Sequence, residues 1–125
     1  MPWRARGLGV ALLVCLAACT SPPLQRLADR FGCTNVEETV KIDMDGTGLS
    51  AFCDGLPGGT SLILSFSSEA DRNTFFRDAW PDTEFVGSFV LVGSDWAVVS
   101  DANTVSEAAA LKNRVGGVPL TALDL

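Results

Sequence analysis

The sequence predicts an α+β domain: an antiparallel sheet of about five strands with helices packed on one face, in the order α-β-β-β-α-β-β-α. Three observations lead there. Three runs of strand character, "ETVKIDM", "LSAFCD" and "SLILSFS", follow one another with only short Gly/Pro-rich connections. Parallel neighbours would need crossovers of a dozen or more residues, so these runs pair antiparallel. A helical run, "SEADRNTFFRDAW", then separates them from a second β group, "SFVLVGSDWAVVS". Grouped hairpins divided by helices are the α+β pattern.

Each element has its own local reason. Ser21-Pro22-Pro23 suits a helix start, since proline is tolerated in the first turn. Leu24, Leu27, Ala28 and Phe31 follow at i, i+3, i+4, i+7, an apolar stripe, and Gly32 can cap the end. In "ETVKIDM" Val40, Ile42 and Met44 alternate with Thr39, Lys41 and Asp43, which predicts a strand with one wet face. "DGTG" is then the hairpin turn into "LSAFCD", and "GLPGG" the turn into "SLILSFS", with Leu62, Leu64 and Phe66 on one side. Ser67 or Ser68 caps the next helix, and Glu69 and Asp71 sit in its first turn, where the dipole favours them. Trp80-Pro81 ends it. "SFVLVGSDWAVVS" reads as two short strands around Gly93-Ser94-Asp95, or one strand bulged at Gly93. Thr104-x-x-Glu107 is a capping box for a last helix lined by Val105, Ala108, Leu111 and Val115, stopped by Gly116-Gly117. "VPLTALDL" is a tail or a short edge strand.

The first residues follow a different logic. Arg4 and Arg6 precede an apolar run, Gly7 to Leu16, too short for a stable transmembrane anchor. Leu16-Ala17-Ala18-Cys19 resembles the lipobox of bacterial lipoproteins. That resemblance implies cleavage before Cys19, a diacylglycerol on its thiol and usually an N-acyl (palmitate-type) chain. Residues 1–18 are then the signal peptide, residues 19–23 the lipidated cysteine with a short tether, and residues 24–125 a single domain. Several acyl chains together hold a protein stably on a membrane. The expected location is the extracytoplasmic side of a cell membrane. Arg4 and Arg6 are separated by Ala5, so the twin-arginine pattern is absent.

Composition narrows the rest. Nine Lys and Arg face fifteen Asp and Glu; loss of Arg4 and Arg6 leaves seven against fifteen, about −8. Such a domain is a poor nucleic-acid binder and is repelled by anionic lipid, so acyl groups must hold it in place. Of the four cysteines, Cys15 lies in the discarded segment and Cys19 takes the lipid. Cys33 and Cys53 remain, an even pair in an oxidising compartment, and are expected to form a disulfide. With no histidine and no third thiol, a zinc-type metal centre is not expected, and no cofactor is implied.

One string points to chemistry. Asp43-Met44-Asp45-Gly46-Thr47 resembles the D-x-D-G-T signature of the haloacid-dehalogenase phosphatases. That resemblance would make Asp43 a nucleophile and Asp45 an acid/base beside magnesium. Ser65, Lys112, and Asp95 with Asp101 would stand for its other motifs, although the "GSDWAVVSD" spacing departs from the usual pattern. Three features oppose it. The family strand is buried on both faces and nearly all apolar, whereas here Lys41 interrupts the run behind Glu37-Glu38. Only a few residues separate the motif from the next strand, leaving no room for a crossover helix. And the candidate nucleophile lies between the two expected disulfide cysteines of an exported domain. The preferred reading is a hairpin turn, with Asp43 solvent-facing and Met44 in the core.

Other candidate sites carry no complete motif. The glycine directly after Asp45 breaks EF-hand spacing, leaving only a loose calcium site on Asp43, Asp45 and Asp54. A Ser-His-Asp triad lacks its histidine. Lys41 and Lys112, the two lysines, sit in no recognisable motif. Trp80, Trp96, Phe75 and Phe76 are better core than binding face, with Trp96 and Asp95 the positions that could face a ligand. The mature part is also similar to a group of small actinobacterial lipoproteins, through "LADRFGC", "LSFSSEADRNTFF" and "LVGSDWAVV". That group has no assigned activity, so it adds location and fold. The expectation is a non-catalytic binding or envelope-associated module held to the bilayer through Cys19, with an envelope protein or ligand as its unidentified partner. The rival is an exported magnesium-dependent hydrolase built on Asp43 and Asp45.

Overall fold

Six strands hydrogen-bond into one sheet in the computed structural model, which describes residues 20–125. They are β1 (Thr34–Glu38), β2 (Gly48–Leu56), β3 (Gly59–Phe66), β4 (Phe89–Val92), β5 (Trp96–Ser100) and β6 (Val118–Pro119). The spatial order is β1-β2-β3-β5-β4-β6, and every neighbouring pair is antiparallel. The helices are α1 (Pro22–Phe31), α2 (Glu69–Thr74) and α3 (Val105–Val115). The expected α+β class and antiparallel sheet are therefore present, with one strand more than expected. The signal segment, the lipobox and Cys19 lie outside the described residues. Because α1 begins at Pro22, two residues of the expected tether are already helical.

The helices divide between the two faces of the sheet instead of sharing one. β3, β4 and β5 are the reason, since successive residues are buried on both sides, as in "LIL", "VLV" and "WAVVS". On one face Ile63, Leu91, Trp96 and Val98 pack with Leu24, Ala28 and Phe31 of α1 and Leu111 and Val115 of α3. On the other, Leu62, Leu64, Phe66, Val90, Ala97 and Val99 pack with Phe75, Phe76 and Trp80. A sheet apolar on both faces must be covered on both.

α1 matches its stripe: Leu24, Leu27, Ala28 and Phe31 are all buried, and Gly32 at φ 77° turns the chain out, its N–H donating to the Ala28 carbonyl. α2 ends early. A π-helical turn over Phe75–Ala79 replaces its second half, followed by a 3-10 turn over Trp80–Asp82. An α-helix points residues i and i+1 about 100° apart; the wider turn lets adjacent Phe75 and Phe76 both reach the core. α3 is capped by Thr104, whose hydroxyl accepts from the Glu107 N–H at 3.1 Å. Its stripe is shorter than expected, because Val105 at the first position is 88% exposed. The second β group is the two-strand version, with β4 and β5 joined through Gly93-Ser94-Asp95 and Gly93 N–H donating to Trp96 O at 2.9 Å.

The largest departure is at "ETVKIDM". The strand here is "TNVEE", and residues 39–47 leave the sheet. Val40 is 96% exposed, whereas Ile42 and Met44 fold under the sheet into the second core. Thr39 and Ser50 exchange bonds as the chain departs: Thr39 N–H to Ser50 O, and the Ser50 hydroxyl to Thr39 O. Alternation was real, but two buried side chains anchored the segment without strand pairing.

Candidate functional site

The Asp43–Thr47 stretch is a tight turn. Asp45 and Gly46 both have positive φ, 50° and 74°, the signs that a type I′ turn requires at its two central positions. Thr47 N–H closes it onto Met44 O at 2.8 Å, and the Thr47 hydroxyl donates to the same carbonyl. The Asp43 carboxylate accepts from Asp45 N–H at 2.9 Å, so the first aspartate braces the turn. It sits within the loop over residues 39–47, not at the end of a strand.

Two clefts flank this turn. One, about 790 Å³, is lined by Ser21, Glu38, Val40, Ile42, Met44 and Leu49, among others. The second, about 500 Å³, lies between the turn and the π-helical segment and gathers Asp43, Asp45, Asp78, Asp82 and Glu84 around Lys41. Among the described residues no group of three or more His, Cys, Asp or Glu is placed to hold a metal ion. The loose calcium site does not assemble. Asp54 is on β2, where it accepts from Asn35 Nδ2 at 3.1 Å and Thr60 Oγ1 at 2.8 Å. Those two bonds hold its carboxyl below the ordinary range.

The phosphatase constellation is dispersed too. Ser65 and Asp95 line a third cleft beside Pro23, Arg26 and Arg30, and Asp101 borders a fourth. Lys112 is exposed on α3, which packs on the face opposite the buried Ile42 and Met44. No parallel strand pair exists among the described residues.

Trp96 is not ligand-facing. It is 4% exposed, packs edge-on to Phe31 at 4.9 Å, and is covered by the Arg30 guanidinium at 5.6 Å from its ring centroid. Asp95, its neighbour, is exposed in the β4–β5 turn. Trp96 opens β5, whose residues are all buried, whereas Asp95 precedes the strand in the solvent-facing turn. Trp80, Phe75 and Phe76 are core, as expected.

Cys33 and Cys53 are brought together. Both are buried, and their sulfur atoms stand 2.5 Å apart. Cys33 follows the Gly32 cap of α1, and Cys53 sits near the end of β2. In the thiol form, the hydrogen bond between them pushes Cys33 below the ordinary thiol range and Cys53 above it, and burial adds to the rise at Cys53.

One polar residue escaped sequence reasoning. Arg72, 7% exposed, donates to the carbonyls of Gly93 and Ser94 and to Asn73 Oδ1. It ties α2 to the β4–β5 turn. Its helical position beside Glu69 and Asp71 gave no sign of this, because the carbonyls it meets are about 20 residues away.

Comparison with known proteins places the chain beside none of them: no family model, no curated protein and no solved structure matches it. Among the described residues no helix is long and apolar enough to cross a membrane.

Proposed function

We propose that this chain is a membrane-anchored extracytoplasmic lipoprotein whose domain is a non-catalytic binding or envelope-associated module. Leu16-Ala17-Ala18-Cys19, behind a basic start and a short apolar run, is the observation that carries this reading. The domain begins almost at once: Pro22 opens α1 three residues after Cys19. The acidic surface supports a lipid anchor over an electrostatic one. Asp43 borders different clefts from the one shared by Ser65 and Asp95, and Lys112 stands apart on α3, which favours binding over phosphoryl chemistry. The module carries a Cys33–Cys53 disulfide in this reading, supported by the buried neighbouring sulfurs.

The direct test is Cys19→Ala in the native host. The parent protein should fractionate with membranes and the variant should be released. Retention of the variant on membranes contradicts the lipid anchor.

A further inference from the structure

The end of the sheet from which the anchor would emerge has a surface of its own. Ser21, at the start of α1, donates its N–H to Glu38 Oε1 at 3.3 Å and lines the cleft of about 790 Å³ beside the Asp43–Thr47 turn. Leu49, on the same cleft, pairs in register with Ser65, and Ser65 with Trp96. The ends of β1 and β3 and the starts of α1, β2 and β5 therefore meet here. Val40 and Leu49 stand at this cleft 96% and 39% exposed. Neither belongs to a core cluster: the 39–47 segment buries Ile42 and Met44 instead of Val40, and Leu49 of β2 stands outside both clusters.

Chain length decides what this surface can meet. Cys19 is two residues before Ser21, and two residues span at most about 7 Å. If Cys19 carries acyl chains, the surface around Ser21 cannot lie far from the headgroups. We infer that the Val40–Leu49 rim docks on the anchoring bilayer, with both side chains entering the boundary between headgroups and acyl chains. This rests on the lipoprotein reading. The same end carries charges of both signs, Arg26 and Arg30 on α1 against Glu38, Asp43, Asp45 and Asp95. The contact is therefore apolar and does not require anionic lipid.

The far end of the sheet supplies the control. Val105 is 88% exposed, on the helix that follows the end of β5, where Gly58 approaches Ser100 and Ala102. Full-length processed protein carrying Val40→Trp or Val105→Trp is reconstituted into phosphatidylcholine vesicles, with or without brominated acyl chains. Both positions are exposed, so folding is preserved, and buried Trp80 and Trp96 give a common background. Brominated lipid should quench most of the added emission at position 40 and leave that at position 105 unchanged. Vesicle flotation is read on the same samples. Protein that floats but shows equal quenching at both positions, or none, overturns the docking surface alone. Protein that does not float overturns the anchor and the docking surface together.

Discussion

At the scale of single residues, the β4–β5 turn depends on an absence of side chain. A Cβ placed on Gly93 would lie 2.0 Å from Cε2 of Trp96, far inside van der Waals contact, and the neighbour is a rigid ring wedged against Phe31. Gly93→Ala is therefore expected to destabilise the domain by about 1–3 kcal/mol, the usual cost of overpacking. Urea unfolding measures it; an unchanged midpoint would mean that the indole does not lie over the turn. The sequence held half of this contact, a glycine three residues before a tryptophan. Nothing local said that the ring folds back, so Trp96 could be weighed as a ligand surface although it belongs to the core.

At the scale of elements, local patterns were legible wherever they also decided burial. The α1 stripe, the Thr104 cap and the β4–β5 hairpin are of that kind. They were not legible where tertiary contact overrode period: the alternation of residues 39–44 became a loop, and one helical run became α, π and 3-10 in succession. The bulged strand β1 shows how side chains then secure an irregular element. Asn35 has φ 52° in the bulge, and its amide is held by Asp54, which also holds Thr60 on β3. Three strands share one carboxylate. Its pKa is depressed in the folded state, so its contribution is present above the unfolded carboxylate value of about 3.9 and is lost as pH falls through the lower folded value. Asp54→Asn should be less stable than the parent at neutral pH, with the gap closing in acid. Thermal melts across pH test this, and a gap that persists unchanged in acid would refute the charge-based account.

For the whole molecule, two faces of one sheet each carry a core, and the proposed disulfide lies in the α1 side. Closing a loop of about 20 residues contributes around 3 kcal/mol, so replacing Cys33 and Cys53 with serine should lower the melting temperature by roughly 12–24 °C. Identical melts with and without reductant in the parent would rule the bond out. The pairing was legible by subtraction, two cysteines left for an oxidising compartment. The division of helices is written in the continuous apolar runs of β3, β4 and β5; grouping Leu62, Leu64 and Phe66 as one lined side passes over Ile63, which belongs to the other core. The turn at Asp43–Thr47 has a wider consequence. A five-letter string is blind to handedness, yet handedness is what these letters serve here: an aspartate and a glycine that both tolerate left-handed backbone, behind another aspartate that fastens the bend. Any sequence under selection for such a bend can drift into an enzyme's spelling. A torsion angle exposes the homonym where no count of matching letters can.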